Sequence, residues 1–127
     1  MEDVIQNLKK NIFYRAKIFI EDIGDFSPFG VKAKGQDIID TMAYKDFEGL
    51  INGIELIDML KGNLIKEFES GLIQAGAIAY DITIQLKNGD GIFEKRDALC
   101  LLTSKNGKEW KEEYYPYILI DGQCIWK

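Results

Sequence analysis

The last third of the chain, Ile73–Lys127, constrains the fold most strongly, because apolar segments alternate there with strong turn signals. The turns Asn88–Gly91 and Asn106–Gly107 contain asparagine and glycine, which tolerate the positive φ angles of tight hairpins. Asp121–Gly122 is a further turn before a short final strand, Gln123–Trp126. This pattern predicts an antiparallel meander, with the helices confined to the first half of the chain.

Two helices are predicted from apolar residues that recur with the helical period of about 3.6. The first covers Val4–Ile23, and Gly24 is placed to end it in a left-handed conformation. The second runs from Phe47 to Ser70. Gly49, Gly53 and Gly62 are poor helix formers, which allows a break or kink near Asn52-Gly53 or Gly62.

The strands complete a single predicted domain over residues 1–127. Phe29–Lys34 and Asp37–Tyr44 predict a first hairpin around a Gly35-Gln36 turn. The element order is therefore α-β-β-α-β-β-β, to which a short final strand is added. The predicted fold class is α+β, a single antiparallel sheet of about five strands with two long helices packed on one face.

Composition excludes several classes of function. The chain has 16 Lys and Arg against 21 Asp and Glu, and the net charge of −5 argues against binding to a nucleic-acid backbone. No apolar run approaches the roughly 20 residues that span a bilayer. The acidic start at Met1-Glu2-Asp3 is unlike a signal peptide, so we expect a cytoplasmic protein with no membrane partner. The acids indicate either a solvated mixed surface or a face that docks on a basic partner.

The chain contains no histidine, which removes the usual general base at neutral pH and histidine-dependent activation of a nucleophile. Cys100 and Cys124 lie in apolar segments and are expected to be buried thiols. A disulfide between neighbouring strands is the alternative, which a cytoplasmic location disfavours. Two cysteines without histidine do not make the common zinc sites, so we predict no metal, no cofactor and no enzymatic activity.

Carboxylates are the remaining candidates for chemistry. Local acidic runs are usually solvated, although a hydrolase can use two acids that face each other across a cleft. The runs are Glu21-Asp22 with Asp25, Asp37 with Asp40, and Glu109 with Glu112-Glu113. Asp81 is a separate case, since it lies in an apolar strand among alanines. A buried acid there is a functional candidate, and an acid that faces solvent or caps a backbone group is the plainer interpretation.

An aromatic and acidic segment near the end of the chain is the predicted binding surface. Tyrosine and tryptophan dominate protein interfaces, and Pro116 suggests an edge strand or a bulge because it cannot donate to a ladder. A free edge also accepts a partner strand, including one from a second copy of the chain. The predicted binding residues are Trp110, Glu112, Glu113, Tyr114, Tyr115 and Tyr117.

Short motifs give a resemblance to a group of small uncharacterised bacterial proteins. Pro28-Phe29-Gly30 follows the first helix, and Tyr115-Pro116-Tyr117 follows the apolar strand Asp97–Leu102 and the turn Asn106-Gly107. The chain resembles bacterial α+β proteins with this PFG…PY pattern over most of its length. The resemblance implies no established activity.

Three hypotheses follow. The first is a non-enzymatic bacterial protein-binding module, for which an immunity-type inhibitor of a toxin is an analogy of size and charge. The alternative is a small-molecule or regulatory sensor domain with a pocket between helix and sheet. An enzyme that uses carboxylates and tyrosine is the third, and the absence of histidine disfavours it.

Overall fold

The computed structural model describes residues 4–24, 26, 28–41, 53–87 and 89–126. Within these ranges there are two helices and six strands. They are α1 (Val4–Ile23), β1 (Phe29–Lys34), β2 (Asp37–Thr41), α2 (Gly53–Glu69), β3 (Ala75–Lys87), β4 (Phe93–Ser104), β5 (Lys111–Ile120) and β6 (Gln123–Trp126). Some residues for which the sequence makes a prediction lie outside these ranges, namely Asp25, Met42–Asn52 and Asn88.

The six strands form one curled antiparallel sheet in the order β2-β1-β3-β4-β5-β6. The predicted α+β class with a single antiparallel sheet is therefore confirmed. The predicted number of about five strands is one too few, because β6 pairs fully with β5 from Tyr117↔Trp126 to Ile120↔Gln123. The element order is α-β-β-α-β-β-β-β.

The two helices lie on opposite faces of the sheet, so the prediction that both pack on one face is wrong. Successive residues of a strand point to opposite faces. In β3, Ala77 and Ala79 pack in the same cluster as α1, whereas Ile78 packs with Leu60 and Leu64 of α2. We call these the α1 face and the α2 face. Both faces are buried in the first part of β3, from residue 75 to residue 79, because each is covered there by a helix.

Helix α1 has the predicted bounds, and its apolar stripe is core. Ile5, Leu8, Ile12, Ala16 and Ile20 are buried. They lie over alanines of β3, whose small side chains let the helix backbone approach the sheet closely. The helix ends as predicted at Gly24, which has a φ of 89° and whose N–H donates to Ile20 O at 2.8 Å.

Helix α2 runs without a break through Gly62 to Glu69. Its buried side chains Leu60 and Leu64 pack on the α2 face, and Lys32 of β1 is 2.5 Å from Glu67. Neither α1 nor the described part of α2 is long and apolar enough to cross a membrane.

The two cysteines are free and buried, as predicted. Cys124 belongs to the cluster on the α1 face, whereas Cys100 alternates with Leu99 and Leu101 and so faces the other way. A disulfide between them is therefore ruled out by their placement on opposite faces of the sheet.

Candidate functional site

The six predicted binding residues do not form one surface. Trp110 packs with the α2 cluster, and Tyr115 and Tyr117 pack with the α1 cluster. Strand alternation sends Glu112 and Tyr114 to the α2 face and Glu113 to the α1 face. The prediction of a single surface failed because it treated neighbours in sequence as neighbours in space.

The predicted edge strand is also only partly an edge. From Tyr117 to Ile120, β5 is covered by β6, whereas at Pro116, where an edge or a bulge is predicted, the described pairing is with β4 alone. Pro116 immediately precedes the first residue paired with β6, and it pairs with Ala98 of β4 on its other side. Its missing N–H fits this position, because the pairing with β6 begins just beyond it.

Trp110 anchors the β4–β5 connection to α2. Its Nε1 donates to Gly107 O at 3.3 Å, and Lys61 Nζ lies 5.2 Å from the ring centroid. The ring is half-buried among residues of the α2 cluster. We therefore assign Trp110 a mainly structural role in holding this connection in place.

The residues Glu113, Tyr115 and Tyr117 hold α1 to the sheet. Lys9 Nζ lies 2.8 Å from Glu113 Oε1, and Tyr115 donates to Glu113 Oε2 at 2.8 Å. The hydrogen bond from Lys9 is the main reason that the pKa of Glu113 is lowered. The Phe13 and Tyr115 rings pack edge to face at 4.8 Å. These side chains contribute to packing, which leaves little of them for a partner.

Asp81 is hydrogen-bonded to Tyr117, which is only 2% exposed. The hydroxyl lies 2.9 Å from each carboxylate oxygen of Asp81. Asp81 is half-buried on the α1 face and lines an open cleft with Asp97 and Phe26. The carboxylate of Asp81 thus accepts from a buried tyrosine of β5 and also borders an open cleft, a contact with Tyr117 that the sequence did not indicate.

Replacing Tyr117 with phenylalanine is expected to reduce the free energy of unfolding by about 1–2 kcal/mol at neutral pH, because the hydrogen bond to Asp81 is lost. Burial, and then Asp81, raise the pKa of Tyr117 above its ordinary value of 10.0. The protonated phenol therefore stabilises the fold fully below pH 10, and this contribution is lost as the pH rises further. We expect Tyr117→Phe to show a shallower alkaline loss of thermal stability than the wild type.

Tyr14 supplies the control for this experiment, since it is 70% exposed. Tyr14→Phe is expected to follow the wild-type profile. Equal alkaline profiles for the wild type and Tyr117→Phe would contradict the assigned role of the buried phenol.

A polar row on the α2 face joins Tyr80, Cys100, Glu112 and Tyr114. The Cys100 thiol donates to Glu112 Oε1 at 3.7 Å, and the Tyr114 hydroxyl donates to the same oxygen. The bond to Glu112 raises the pKa of Tyr114 to about 12. Burial raises the pKa of the Cys100 thiol, and burial likewise raises the pKa of Tyr80. The two tyrosines and the Cys100 thiol therefore stay protonated at neutral pH, so the thiol is not activated as a nucleophile.

Two acids of the predicted runs, Glu21 and Asp40, have hydrogen-bond or ion-pair partners. Glu21 accepts a hydrogen bond from Cys124 N at 2.8 Å, which lowers the pKa of Glu21, and it pairs with Lys17 at 3.3 Å. Asp40 lies 2.7 Å from Arg15. Among the described residues, no group of three or more His, Cys, Asp or Glu side chains is placed to hold a metal ion.

An exposed apolar surface on the α2 face of the β5–β6 hairpin was missed by the sequence analysis. Tyr114 is 51% exposed, Ile120 42% and Ile125 38%, and Pro116 and Ile118 are partly exposed between them. We call these five residues the apolar patch. Strand alternation puts 114, 116, 118 and 120 on one face, and Ile125 pairs with Ile118. The sequence carries no alternating signal for this face, because every residue of β5 from Tyr114 to Ile120 is apolar or aromatic.

A cavity of about 550 Å³ lies between the first turns of α1 and the β4–β5 connection. Ile5 and Lys9 of α1 form one side, and Thr103 and Trp110 belong to the other. The sequence analysis predicted a pocket between helix and sheet only in general terms. Its lining comes from two distant parts of the chain, α1 and the β4–β5 connection, which no local pattern connects.

No protein-family model, curated protein or solved structure matches this chain. The resemblance to bacterial proteins with a PFG…PY pattern stays a prediction. A function for this chain therefore has to be argued from its own geometry.

Proposed function

We propose that the protein is a non-enzymatic protein-binding module that engages its partner through the apolar patch. The observation that carries the proposal is the exposure of Tyr114, Ile120 and Ile125 at 51%, 42% and 38% on one face of the sheet. Exposed apolar side chains that form a contiguous surface mark interaction sites more often than single exposed ones do. Tyrosine is also among the residues that contribute most to interface energies.

The position of the patch in the fold supports this proposal. Helix α2 packs on β1, β2 and β3, so it covers the end of the α2 face that is farthest from β6. The patch spans β5 and β6, and β6 is the last strand of the described sheet. A partner strand placed against β6 gains backbone hydrogen bonds, and its side chains reach the patch. A second copy of the chain is one such partner.

Charge favours a basic partner over an acidic one. The chain carries a net charge of −5, and the exposed acids Glu112 and Asp121 adjoin the patch on β5 and at the β5–β6 turn. Complementary charge at the rim of an interface speeds association and selects against wrong partners. An immunity-type inhibitor of a basic toxin is the specific form of this proposal, and it rests on size and charge alone.

A matched pair of double variants tests the proposal by affinity capture from a lysate of the native host. Tyr114→Ser with Ile125→Ser removes two side chains of the patch. Tyr14→Ser with Ile23→Ser removes one tyrosine and one isoleucine from α1, each 70% exposed. We expect a stoichiometric partner of the wild type to bind the patch variant at least about tenfold more weakly and to bind the α1 variant unchanged.

Two measurements, affinity capture and the oligomeric state, decide the outcome once all three proteins are shown to be folded. Equal binding by the patch variant and the wild type would rule out this surface. Size-exclusion chromatography with light scattering identifies the case in which the partner is a second copy, since the wild type then elutes as a dimer and the patch variant as a monomer.

A ligand-sensing domain is the second candidate. The observation in its favour is the cavity of about 550 Å³ between α1 and the β4–β5 connection, which falls within the usual range for small-molecule sites.

A further inference from the structure

The cavity between α1 and the β4–β5 connection has a positive lining in an acidic protein. Three lysines and one glutamate line it, whereas the whole chain has a net charge of −5. Lys9 is paired with Glu113 at 2.8 Å. Lys105 and Lys111 form no ion pair within 4 Å of any described carboxylate, although the charge of Lys111 contributes to the lowered pKa of Glu113. The ammonium groups of Lys105 and Lys111 are therefore not held in a direct ion pair and can act on a ligand in the cavity.

The sheet side of the cavity supplies hydrogen-bond donors at fixed positions. Thr103 is 4% exposed and pairs across the strands with Lys111, and both line the cavity. Asn106 Oδ1 accepts hydrogen bonds from Lys108 N at 2.8 Å and Glu109 N at 2.9 Å. With the oxygen used in the turn, the Asn106 side chain keeps its NH₂ group as a donor.

The β4–β5 connection is held rigidly, so these donors are preorganised. Ser104 is 3% exposed, and its Oγ accepts hydrogen bonds from Gly107 N at 2.8 Å and Asn106 N at 3.3 Å. Trp110 closes the connection through its bond to Gly107 O. A site whose donors are already fixed loses little conformational entropy when a ligand binds.

We propose that this cavity binds a small organic oxyanion, that is, a phosphate monoester or a carboxylate. Lys105 and Lys111 hold the anionic group, and the Thr103 hydroxyl and the Asn106 amide donate to it. Ile5 and Trp110 provide apolar surface for the organic part. The inference rests on the second candidate function, whose ligand class it names, and it is independent of the protein-binding proposal.

Charge and shape together favour this class of ligand. Lysine and hydroxyl donors form charge-assisted hydrogen bonds to oxyanions, which are stronger than bonds between neutral groups. A cavity of about 550 Å³ accommodates a small molecule.

The test is a titration followed by amide chemical shifts in the full chain, with phenyl phosphate, benzoate and benzyl alcohol as probes. Lys105→Gln with Lys111→Gln removes the two lysine charges of the cavity that are not in a direct ion pair. Lys34→Gln with Lys95→Gln removes two exposed lysines elsewhere and is the matched control. We expect saturable shifts at the cavity with at least one oxyanion, at least tenfold weaker binding in the cavity variant and unchanged binding in the control.

The other outcomes overturn the inference in distinguishable ways. If benzyl alcohol binds as tightly as the oxyanions, the cavity is a ligand site but not an oxyanion site. If no probe gives saturable shifts at the cavity, both the inference and the ligand-sensing candidate fail. If the control variant weakens binding as much as the cavity variant, the oxyanions bind through general surface charge only.

Discussion

Gly107→Ala is expected to lower the free energy of unfolding by about 3 kcal/mol, for two independent reasons. Gly107 has a φ of 78°, a conformation that L residues with a side chain rarely adopt. A methyl group at this position would also lie 2.8 Å from Cδ2 and 3.1 Å from Cβ of Phe68. These contacts include the stem of the phenylalanine, so the ring cannot swing away to relieve them.

Gly122→Ala is the matched control, because Gly122 also has a φ of 78° but nothing lies within 4 Å of an added Cβ. It is expected to cost about 1 kcal/mol, from backbone strain alone. Urea unfolding of both variants measures the difference, which isolates the contact with Phe68. Equal losses for the two variants would show that α2 does not press on the β4–β5 connection.

This contact matters for function as well as for stability. Gly107 lies between Asn106 and Lys108 in the connection that forms one wall of the cavity, and Phe68 belongs to α2 on the other face. The β4–β5 connection thus packs against Phe68 of α2 on one side, while its lysines line the cavity beside α1 on the other. A Gly107→Ala variant that still folds is therefore expected to weaken oxyanion binding too.

The sequence was most reliable for local structure. Periodicity predicted α1 over Val4–Ile23 and the last strand over Gln123–Trp126 with the observed bounds. It misjudged Ile23, which continues the apolar stripe in sequence but is 70% exposed at the end of the helix. The helical period of the apolar residues identifies which of them share one face of the helix. It does not show where burial ends along that face, because this depends on the length of the sheet beneath.

Helix placement could not be derived in the same way. The alternation of Ala77 and Ala79 with Ile78 and Tyr80 in β3 predicts one core face that contains Ile78 and Tyr80. The alanines are then small residues on the opposite face. Both faces are in fact covered, and the alanines are small because α1 packs directly against them. The observation that something packs closely over the alanines was sound, but the periodicity of one strand does not identify which helix supplies the cover.

The grouping of the predicted binding residues on one surface was wrong for a related reason. β5 alternates between the two faces, so the aromatic and acidic residues from Glu112 to Tyr117 are divided between α1 and the exposed face. Lys105 and Lys111 come from the same β4–β5 connection, whereas Lys9 joins them only because α1 lies beside this connection in the fold. No pattern in the sequence indicates that α1 completes the cavity.

Leu64→Ala is the second variant with a large expected effect, a loss of about 3 kcal/mol in the free energy of unfolding. Leu64 is fully buried between α2 and the sheet, where it packs in a cluster with Leu60 and Ile78. Truncation leaves a cavity that the paired strands below cannot collapse to fill. Leu72→Ala is the control, because Leu72 is 50% exposed, and it is expected to cost less than about 1 kcal/mol.

Gly76 makes this prediction sharper, because it lies directly beneath Leu64. A Cβ at Gly76 would lie 3.1 Å from Cδ1 and 3.2 Å from Cδ2 of Leu64, so Gly76→Ala alone is expected to cost about 1 kcal/mol. In the Leu64→Ala background the same methyl group has room, and it is expected to stabilise by up to about 1 kcal/mol. The double-mutant cycle measured by urea unfolding should therefore give a favourable coupling between the two substitutions. Additive effects would mean that α2 does not rest on β3 through these two residues, and the assignment of the helices to opposite faces would lose its most direct support.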